Sequence, residues 1–192
     1  LAAGVVILSP YIPLLFMGEE YGENAPFQYF VSHSDETLIA SVREGRKKEF
    51  ESFLWHGKIP DPQDAETFLR SKLDWQKKES GGHRILLDFY KRLIKLRKET
   101  PALFHSNRKN IEAHGLEGEM ILFMGIGKDH NRLFCVFNFN EVDTKTIVPP
   151  PEGTWRKTLD SSSEVWNGPG SLSPGTIKGS GVLPMRGSGF VV

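Results

Sequence analysis

The sequence predicts an α+β fold in which the last strand and helices of a (β/α)8 barrel precede an all-β antiparallel sandwich domain. Three observations predict it: an apolar run that ends in two acidic residues near the first residue, an amphipathic helix in the middle of the chain, and a change of hydrophobic period from 3.6 to two residues after that helix. The change of period predicts two domains, residues 1–104 and residues 105–192.

The composition is that of an ordinary globular protein, with 39% hydrophobic and 25% charged residues. The formal net charge of zero leaves no overall basic field, so we expect neither a nucleic acid nor a membrane as partner. The single cysteine, Cys135, lies in an apolar run, which predicts a buried core thiol. Because one cysteine cannot form an internal disulfide, a reducing, cytoplasmic compartment is favoured.

The first segment predicts the end of a buried helix, because residues 1–8 are apolar on every side. Pro10 and Pro13 end this helix, since a residue before proline disfavours the helical conformation. Residues 14–17 then form an apolar run that Gly18 stops, as in a strand buried on both faces of a parallel sheet. Most of a barrel would have to precede this strand, so we expect the chain to be the C-terminal portion of a larger enzyme.

Two longer helices are predicted before residue 105. For residues 34–53, Ser34 is a suitable N-cap and acidic residues follow it. The helix over residues 83–99 carries apolar residues at spacings of three and four. Residues 59–64 predict a turning linker, and Gly81 and Gly82 predict a turn before the second helix.

The β region shows short apolar segments with a period of two, separated by Gly, Pro, Asn, Asp and Ser. This pattern predicts a small antiparallel sandwich or barrel. The predicted strands are residues 120–126, 132–140, 144–148 and 154–159, with one or two more in 181–192 after a Gly/Ser/Pro-rich excursion over 168–181.

Two adjacent carboxylates, Glu19 and Glu20, follow the predicted strand. The paired carboxyls of a glycosidase converge from two sides of one bond, about 5–9.5 Å apart, whereas consecutive strand residues point to opposite faces. At most one of the two therefore faces the cleft, and the other anchors the loop. We expect structural support or substrate contact here, and no catalytic residue.

An aromatic loop follows, with Tyr21, Phe27, Tyr29 and Phe30. Aromatic rings stack on the apolar faces of sugars, so the loop predicts a saccharide platform. The alternative is that these rings pack the loop onto the barrel, and for Phe27 and Phe30 this alternative is favoured. The predicted substrate-binding residues are Glu19, Glu20, Tyr21 and Phe27.

Other chemistries find no support. The chain has no phosphate-binding glycine motif, no nucleophile elbow and no histidine pair at metal-ligand spacing, so we expect no metal and no cofactor. Trp155 and Trp166 offer a possible carbohydrate-binding surface in the β region, although core tryptophans are the commoner outcome.

The segment LSPYIPLLFMGEEYGE, followed by PFQYF, resembles the last barrel strand and its loop in the α-amylase family of glycoside hydrolases. Three later segments, VREGRKKEF, PDPQDAETFLRSKLDW and LLDFYKRLIKLRKETPAL, resemble the trehalose-releasing members of that family. The resemblance covers about residues 1–104. It maps the last strand onto residues 12–18 and the final barrel helix onto residues 83–99.

The resemblance implies a parent enzyme that hydrolyses the α-1,4 bond next to the terminal trehalose of maltooligosyl trehalose. It also implies a retaining mechanism with an Asp nucleophile, a Glu acid/base and a second Asp, all upstream of this sequence. We therefore expect the chain to be inactive alone, with possible self-association through the apolar surface from Val5 to Phe16. The alternatives are a glucan branching or debranching enzyme and a noncatalytic carbohydrate-binding or scaffold module.

Overall fold

A computed structural model describes residues 1–52, 59–104, 110–128, 131–147, 153–179 and 181–192. Contacts divide the chain into two compact units: unit 1 is Leu1–Tyr21 with Lys78–Val192, and unit 2 is Gly22–Lys77. The domain boundary between residues 104 and 105 stays a prediction.

Five helices and eight strands lie in the described parts of the chain. The helices are α1 (Ala2–Leu8), α2 (Glu36–Ser52), α3 (Ala65–Arg70), α4 (Gly81–Glu99) and α5 (Pro101–Phe104). The strands are β1 (Ile111–Leu116), β2 (Ile121–Lys128), β3 (Asn131–Asn138), β4 (Thr144–Ile147), β5 (Thr154–Arg156), β6 (Thr176–Lys178), β7 (Val182–Met185) and β8 (Gly189–Val191).

The β region is antiparallel, as predicted. One sheet has the strand order β1-β2-β3-β8, and two strand pairs, β4-β7 and β5-β6, accompany it. All the strands predicted in the β region are present within a few residues of their predicted bounds. Two strands were missed: β1 precedes the first predicted strand, and β6 lies inside the Gly/Ser/Pro-rich excursion.

The main core of unit 1 lies where α1 and α4 pack with the four-stranded sheet. Leu93 of α4 and Phe190 of β8 are fully buried there, and Phe190 stacks on Phe137 with 5.4 Å between ring centroids. Cys135 is also fully buried, as predicted, and burial raises the pKa of its thiol to about 12. This thiol is therefore protonated and unreactive at neutral pH.

The start of α4 differs from its prediction and its end agrees. The helix begins at Gly81, two residues early, so the turn predicted at Gly81 and Gly82 was wrong; the positive φ of 58° at Gly81 is where the chain turns into the helix, and glycine adopts it freely. It ends at Thr100, as the following proline predicts. Near its end Arg97 donates hydrogen bonds to three carbonyls, Ile7 O at 2.5 Å, Ser9 O at 2.6 Å and Tyr11 O at 2.8 Å. This guanidinium satisfies carbonyls at the end of α1 that lack helical partners.

The N-cap predicted for α2 was wrong by one residue. The helix begins at Glu36, and the Leu38 amide donates to Asp35 Oδ1 at 2.9 Å, so Asp35 caps the helix in place of Ser34. The predicted helix end at Phe53 lies outside the described residues.

The strand predicted at residues 12–18 is absent: the segment has no regular structure up to a turn at Met17 and Gly18. Ile12 is 94% exposed and Leu14 is 89% exposed. A strand needs a neighbour to pair its backbone groups, and no described residues supply one here. The expectation of exposed apolar surface between Val5 and Phe16 is confirmed from Tyr11 onward, whereas Val5 itself is half-buried.

In the described part of the chain, no helix is both long enough and apolar enough to cross a membrane.

Candidate functional site

The two candidate carboxylates lie on a 3-10 turn, Glu19–Tyr21, in unit 1. The turn is flanked by Gly18 with φ of 89° and Gly22 with φ of 70°, a conformation that side chains rarely adopt. The turn therefore replaces the predicted strand end, and the alternation of faces expected for a strand does not apply to Glu19 and Glu20.

Both carboxylates support the turn. Glu19 Oε2 accepts a hydrogen bond from the Phe16 amide at 2.9 Å, and Glu20 Oε2 accepts one from the Gly18 amide at 3.0 Å. Glu19 Oε1 also accepts from the Tyr90 hydroxyl at 3.2 Å. The anchoring role predicted for one of the two acids is thus observed for both, and Glu19 uses both of its oxygens for it.

Helix α4 supplies two side chains that hold this turn. Tyr90 is buried; its burial, and then the negative charge of Glu19, raise the pKa of its hydroxyl to about 12. His83 Nδ1 lies 2.7 Å from the carbonyl oxygen of Tyr21, so Nδ1 carries the proton and donates. Sequence patterns missed both residues, because each is separated from its partner by more than 60 positions.

The Tyr21 side chain is fully buried in unit 1. In this structure its ring packs the core and presents no face to a sugar. Its place at the turn nevertheless matters, because its carbonyl is the group that His83 holds.

Unit 2 carries the rest of the aromatic loop. Phe27 is 67% exposed, so a ligand can reach its ring. Phe30 packs against Phe68, which also lies in unit 2, with 5.0 Å between ring centroids; packing of the loop onto the barrel stays a prediction. The Tyr29 ring lies under the Arg46 guanidinium at 5.1 Å, a cation–π contact. Of the loop aromatics, Phe27 has the most exposed side chain.

An ion pair between Glu23, at the start of this loop, and Lys77 was not predicted. Glu23 is almost fully buried and accepts from Lys77 Nζ at 2.6 Å, from the Asp74 amide at 2.6 Å and from the amides of Asn24 and Ala25. The hydrogen bond from Lys77 is the largest cause that lowers the pKa of Glu23 to about 2. Glu23 therefore stays ionised and joins the two ends of unit 2.

The two tryptophans of the β region are half-buried. Trp166 packs on Phe89 of α4 with 5.2 Å between ring centroids, and Trp155 packs near Phe134 at 6.0 Å. Each indole thus has a core contact and a solvent-facing part. Among the described residues, no group of three or more His, Cys, Asp or Glu side chains is placed to hold a metal ion.

The chain is similar to several proteins of known name. No family model matches the chain. A malto-oligosyltrehalose trehalohydrolase from Rhizobium sp. (strain M-11) is 50% identical over 104 residues, which are 54% of this chain and 17% of the relative. A 1,4-alpha-glucan branching enzyme from Mycolicibacterium paratuberculosis is 28% identical over 60% of this chain and 17% of its own length. The chain therefore spans less than a fifth of the curated relatives it matches.

Solved structures agree. A crystal structure described as a candidate alpha amylase from Salmonella typhimurium aligns with 97% of this chain and 30% of its own, at 29% identity and a TM-score of 0.70. Several further trehalohydrolases are 44–52% identical to about half of this chain. The resemblance predicted from the sequence is confirmed: the chain is a relative of malto-oligosyltrehalose trehalohydrolases and shares its fold with alpha-amylase-type enzymes.

Proposed function

We propose that the chain is the C-terminal portion of a retaining glycoside hydrolase that releases trehalose from maltooligosyl trehalose by cleaving the adjacent α-1,4 bond. The observation that carries the proposal is the 44–52% identity to trehalohydrolases over about half of this chain. In this proposal the catalytic carboxylates belong to a part of the enzyme outside this sequence, and this chain contributes binding and support.

The contacts at the 3-10 turn support a division of its residues between binding and support. Glu19 engages both carboxylate oxygens within unit 1, which suits a supporting role. Among the described residues, Glu20 holds the Gly18 amide through Oε2, so its Oε1 is the better placed to accept a sugar hydroxyl. We assign Glu20 and Phe27 to substrate contact, and Glu19 and Tyr21 to support.

The test is trehalose release from maltooligosyl trehalose by the longer parent protein, alongside the 192-residue chain. We expect release by the parent and none by the chain, whose identity is checked by intact mass. Release by the pure chain would place the catalytic residues within it and overturn the proposal.

Variants of the parent test the division of roles. Glu20→Gln and Phe27→Ala are expected to raise KM for maltooligosyl trehalose, because both remove substrate contacts. Arg70→Gln, which breaks an exposed ion pair with Glu66 elsewhere in unit 2, is the matched control and should leave KM unchanged. Equal effects of all three changes would contradict the assignment.

A branching enzyme is the second candidate, and the branching-enzyme relative supports it. Product analysis separates the two, because a branching enzyme changes the branch content of a glucan and releases no trehalose. A third candidate is a noncatalytic carbohydrate-binding module, and the solvent-facing parts of Trp155 and Trp166 support it.

A further inference from the structure

A cleft of about 310 Å³ opens in unit 1, and its lining includes no residue of the 3-10 turn that carries Glu19 and Glu20. One wall is the first turns of α4, and the other walls are the segments around residues 161–169 and 187–188. Its volume lies at the lower end of the range for small-molecule sites. Its lining includes Gly82, Ile85, Phe89, Ser161, Trp166 and Asn167.

The chemistry of this lining narrows the class of ligand. None of the side chains that line the cleft is charged, and the charged group in the lining is the α-ammonium of Leu1, so a metal cation would find no partner of opposite charge. The walls combine aliphatic and aromatic surface with serine hydroxyls and an asparagine amide. Such a lining suits a neutral molecule that has an apolar face and many hydroxyl groups, which describes a saccharide.

Two neighbouring residues are held in position for such a ligand. Trp166 rests on Phe89, which itself packs on the fully buried Phe190 at 6.1 Å, so the indole has a fixed support. Asn167 has a positive φ of 59°, and its backbone N–H donates to the Glu164 carbonyl at 3.0 Å. The backbone is thus fixed, and the exposed Asn167 side chain remains accessible at the cleft.

Glycine and serine complete the site. A Cβ atom at Gly82 would lie 3.9 Å from Asn167 Nδ2, so glycine keeps the space beside this amide open. Ser161 Oγ accepts from the Phe190 amide at 2.8 Å, which leaves the hydroxyl proton to donate elsewhere. The Ser161 hydroxyl and the Asn167 side-chain amide therefore supply hydrogen-bonding groups in the same lining as the Trp166 indole.

We propose that this cleft is a noncatalytic binding site for a short stretch of α-1,4-glucan, with Trp166 against the apolar face of a glucosyl ring and Asn167 hydrogen-bonded to its hydroxyls. The choice of a glucan among saccharides rests on the proposed function. The site itself rests on the uncharged side chains of the lining and on the fixed Trp166–Asn167 pair.

The experiment titrates the isotopically labelled 192-residue chain with maltotriose and follows its four tryptophan indole N–H signals by NMR. Each signal is assigned by a single Trp→Phe change. We expect a saturable shift of the Trp166 signal at millimolar maltotriose, with little change at Trp75 or Trp155. No shift at Trp166, or a shift only at another tryptophan, would overturn the proposal.

A matched pair of variants tests the contact itself. Asn167→Gly removes the side-chain amide and keeps the positive φ of the backbone, since glycine adopts this conformation freely. We expect maltotriose affinity to fall about 3- to 10-fold, the size of one lost hydrogen bond. Glu164→Gln, on the same short turn but outside the lining, should bind as the unmodified chain does. If the Asn167→Gly variant binds maltotriose as tightly as the unmodified chain does, the proposed role of the Asn167 side-chain amide is refuted.

The outcomes also separate this inference from the proposed function. Binding at Trp166, with a parent that releases no trehalose, would support the cleft and reject the trehalohydrolase. Trehalose release by the parent, with no response at Trp166, would support the enzyme and reject the cleft. Myo-inositol serves as a control polyol, and an equal response to it would reject recognition of a glucan.

Discussion

The two units of this chain are stabilised in different ways. In unit 1 the helices and the four-stranded sheet share an apolar core in which Leu93, Phe137 and Phe190 are almost fully buried. In unit 2 the described residues bury little beyond Pro62 and Thr67, and large side chains such as Trp75 stay more than half exposed. We attribute its order to polar contacts, above all the Glu23–Lys77 pair, in which the Glu23 carboxylate is almost fully buried.

This difference shows which parts of a fold depend on cumulative apolar burial and which depend on a few specific contacts. Burial of apolar area contributes about 25 cal/mol per Å² without directional requirements. The stabilisation of unit 1 is therefore distributed over many residues. A buried charge is stabilised only while its partner is in place. Core truncations should therefore destabilise unit 1 most, and polar substitutions should destabilise unit 2.

The largest expected effect is that of Leu93→Ala, which removes a fully buried side chain between α4 and the sheet. We expect the free energy of unfolding of unit 1 to fall by about 2–5 kcal/mol, because the change leaves a cavity in a packed core. Amide hydrogen exchange, followed separately for the residues of each unit, measures it.

The control for this change is Leu69→Ala on α3 of unit 2. Leu69 is 54% exposed, so its truncation should cost less than about 1 kcal/mol. If the two leucine variants lose equal stability, the contrast between the units is wrong.

A pair of glycines gives the second comparison. A Cβ atom at Gly4 of α1 would lie 2.4 Å from the buried Phe190 ring, whereas a Cβ atom at Gly45 of α2 would meet nothing within 4 Å. Gly4→Ala should therefore destabilise unit 1 by about 1–3 kcal/mol through overpacking. Gly45→Ala should stabilise α2 by about 0.5–1 kcal/mol, because alanine is the better helix former.

Thermal unfolding and hydrogen exchange of the two glycine variants check the signs. Opposite signs are expected. A Gly4→Ala variant as stable as the parent chain would mean that α1 does not pack tightly on β8.

The third prediction concerns the polar contacts of unit 2. Glu23→Gln keeps the shape of the side chain and removes its charge, which leaves the half-buried Lys77 ammonium with Asn24 Oδ1 but without its carboxylate partner. We expect hydrogen-exchange protection in unit 2 to fall by about 1–3 kcal/mol. Glu66→Gln breaks an exposed pair with Arg70 and should cost less than about 0.5 kcal/mol.

The same carboxylate gives unit 2 a pH dependence. The pKa of Glu23 is about 2 in the folded chain and about 4.5 ordinarily, so its folded form binds fewer protons. Its contribution is fully present above about pH 4.5 and is lost as the pH falls toward 2. The Glu23→Gln variant should lack this part of the acid transition, and an unchanged transition would argue against the pair.

Much of unit 1 could be predicted from sequence because its patterns are local. The three- and four-residue spacing of apolar side chains predicts α4, and the two-residue period predicts β2 and β3. Pairing between distant segments was beyond these patterns. The edge strand β1 alternates weakly because most of it is exposed, so its sequence carries little signal.

The strand predicted at residues 12–18 was wrong because it depends on contacts that are not local. Its apolar run has the composition of a buried strand, yet a strand forms only beside another strand. A helix such as α4 satisfies its backbone internally, whereas this segment depends on neighbours that the described residues do not supply. The candidate site was predicted only in part. Glu19 and Glu20 could be identified from the local sequence, but the contacts of Tyr90 and His83 with this turn depend on α4, which is distant in sequence.

The smallest expected effect tests that support. Tyr90→Phe keeps the buried ring and removes the hydroxyl that donates to Glu19 Oε1, so unit 1 should lose about 0.5–1.5 kcal/mol. The hydroxyl also predicts an alkaline transition, since its pKa is about 12 in the folded chain and about 10 ordinarily. A raised pKa means that the folded chain holds this proton more tightly, so its contribution is complete below about pH 10 and is lost as the pH rises toward 12. Unfolding followed between pH 9 and pH 12 should show this loss in the parent chain and not in the variant, and equal alkaline behaviour of the two would show that the Tyr90–Glu19 contact does not stabilise the turn.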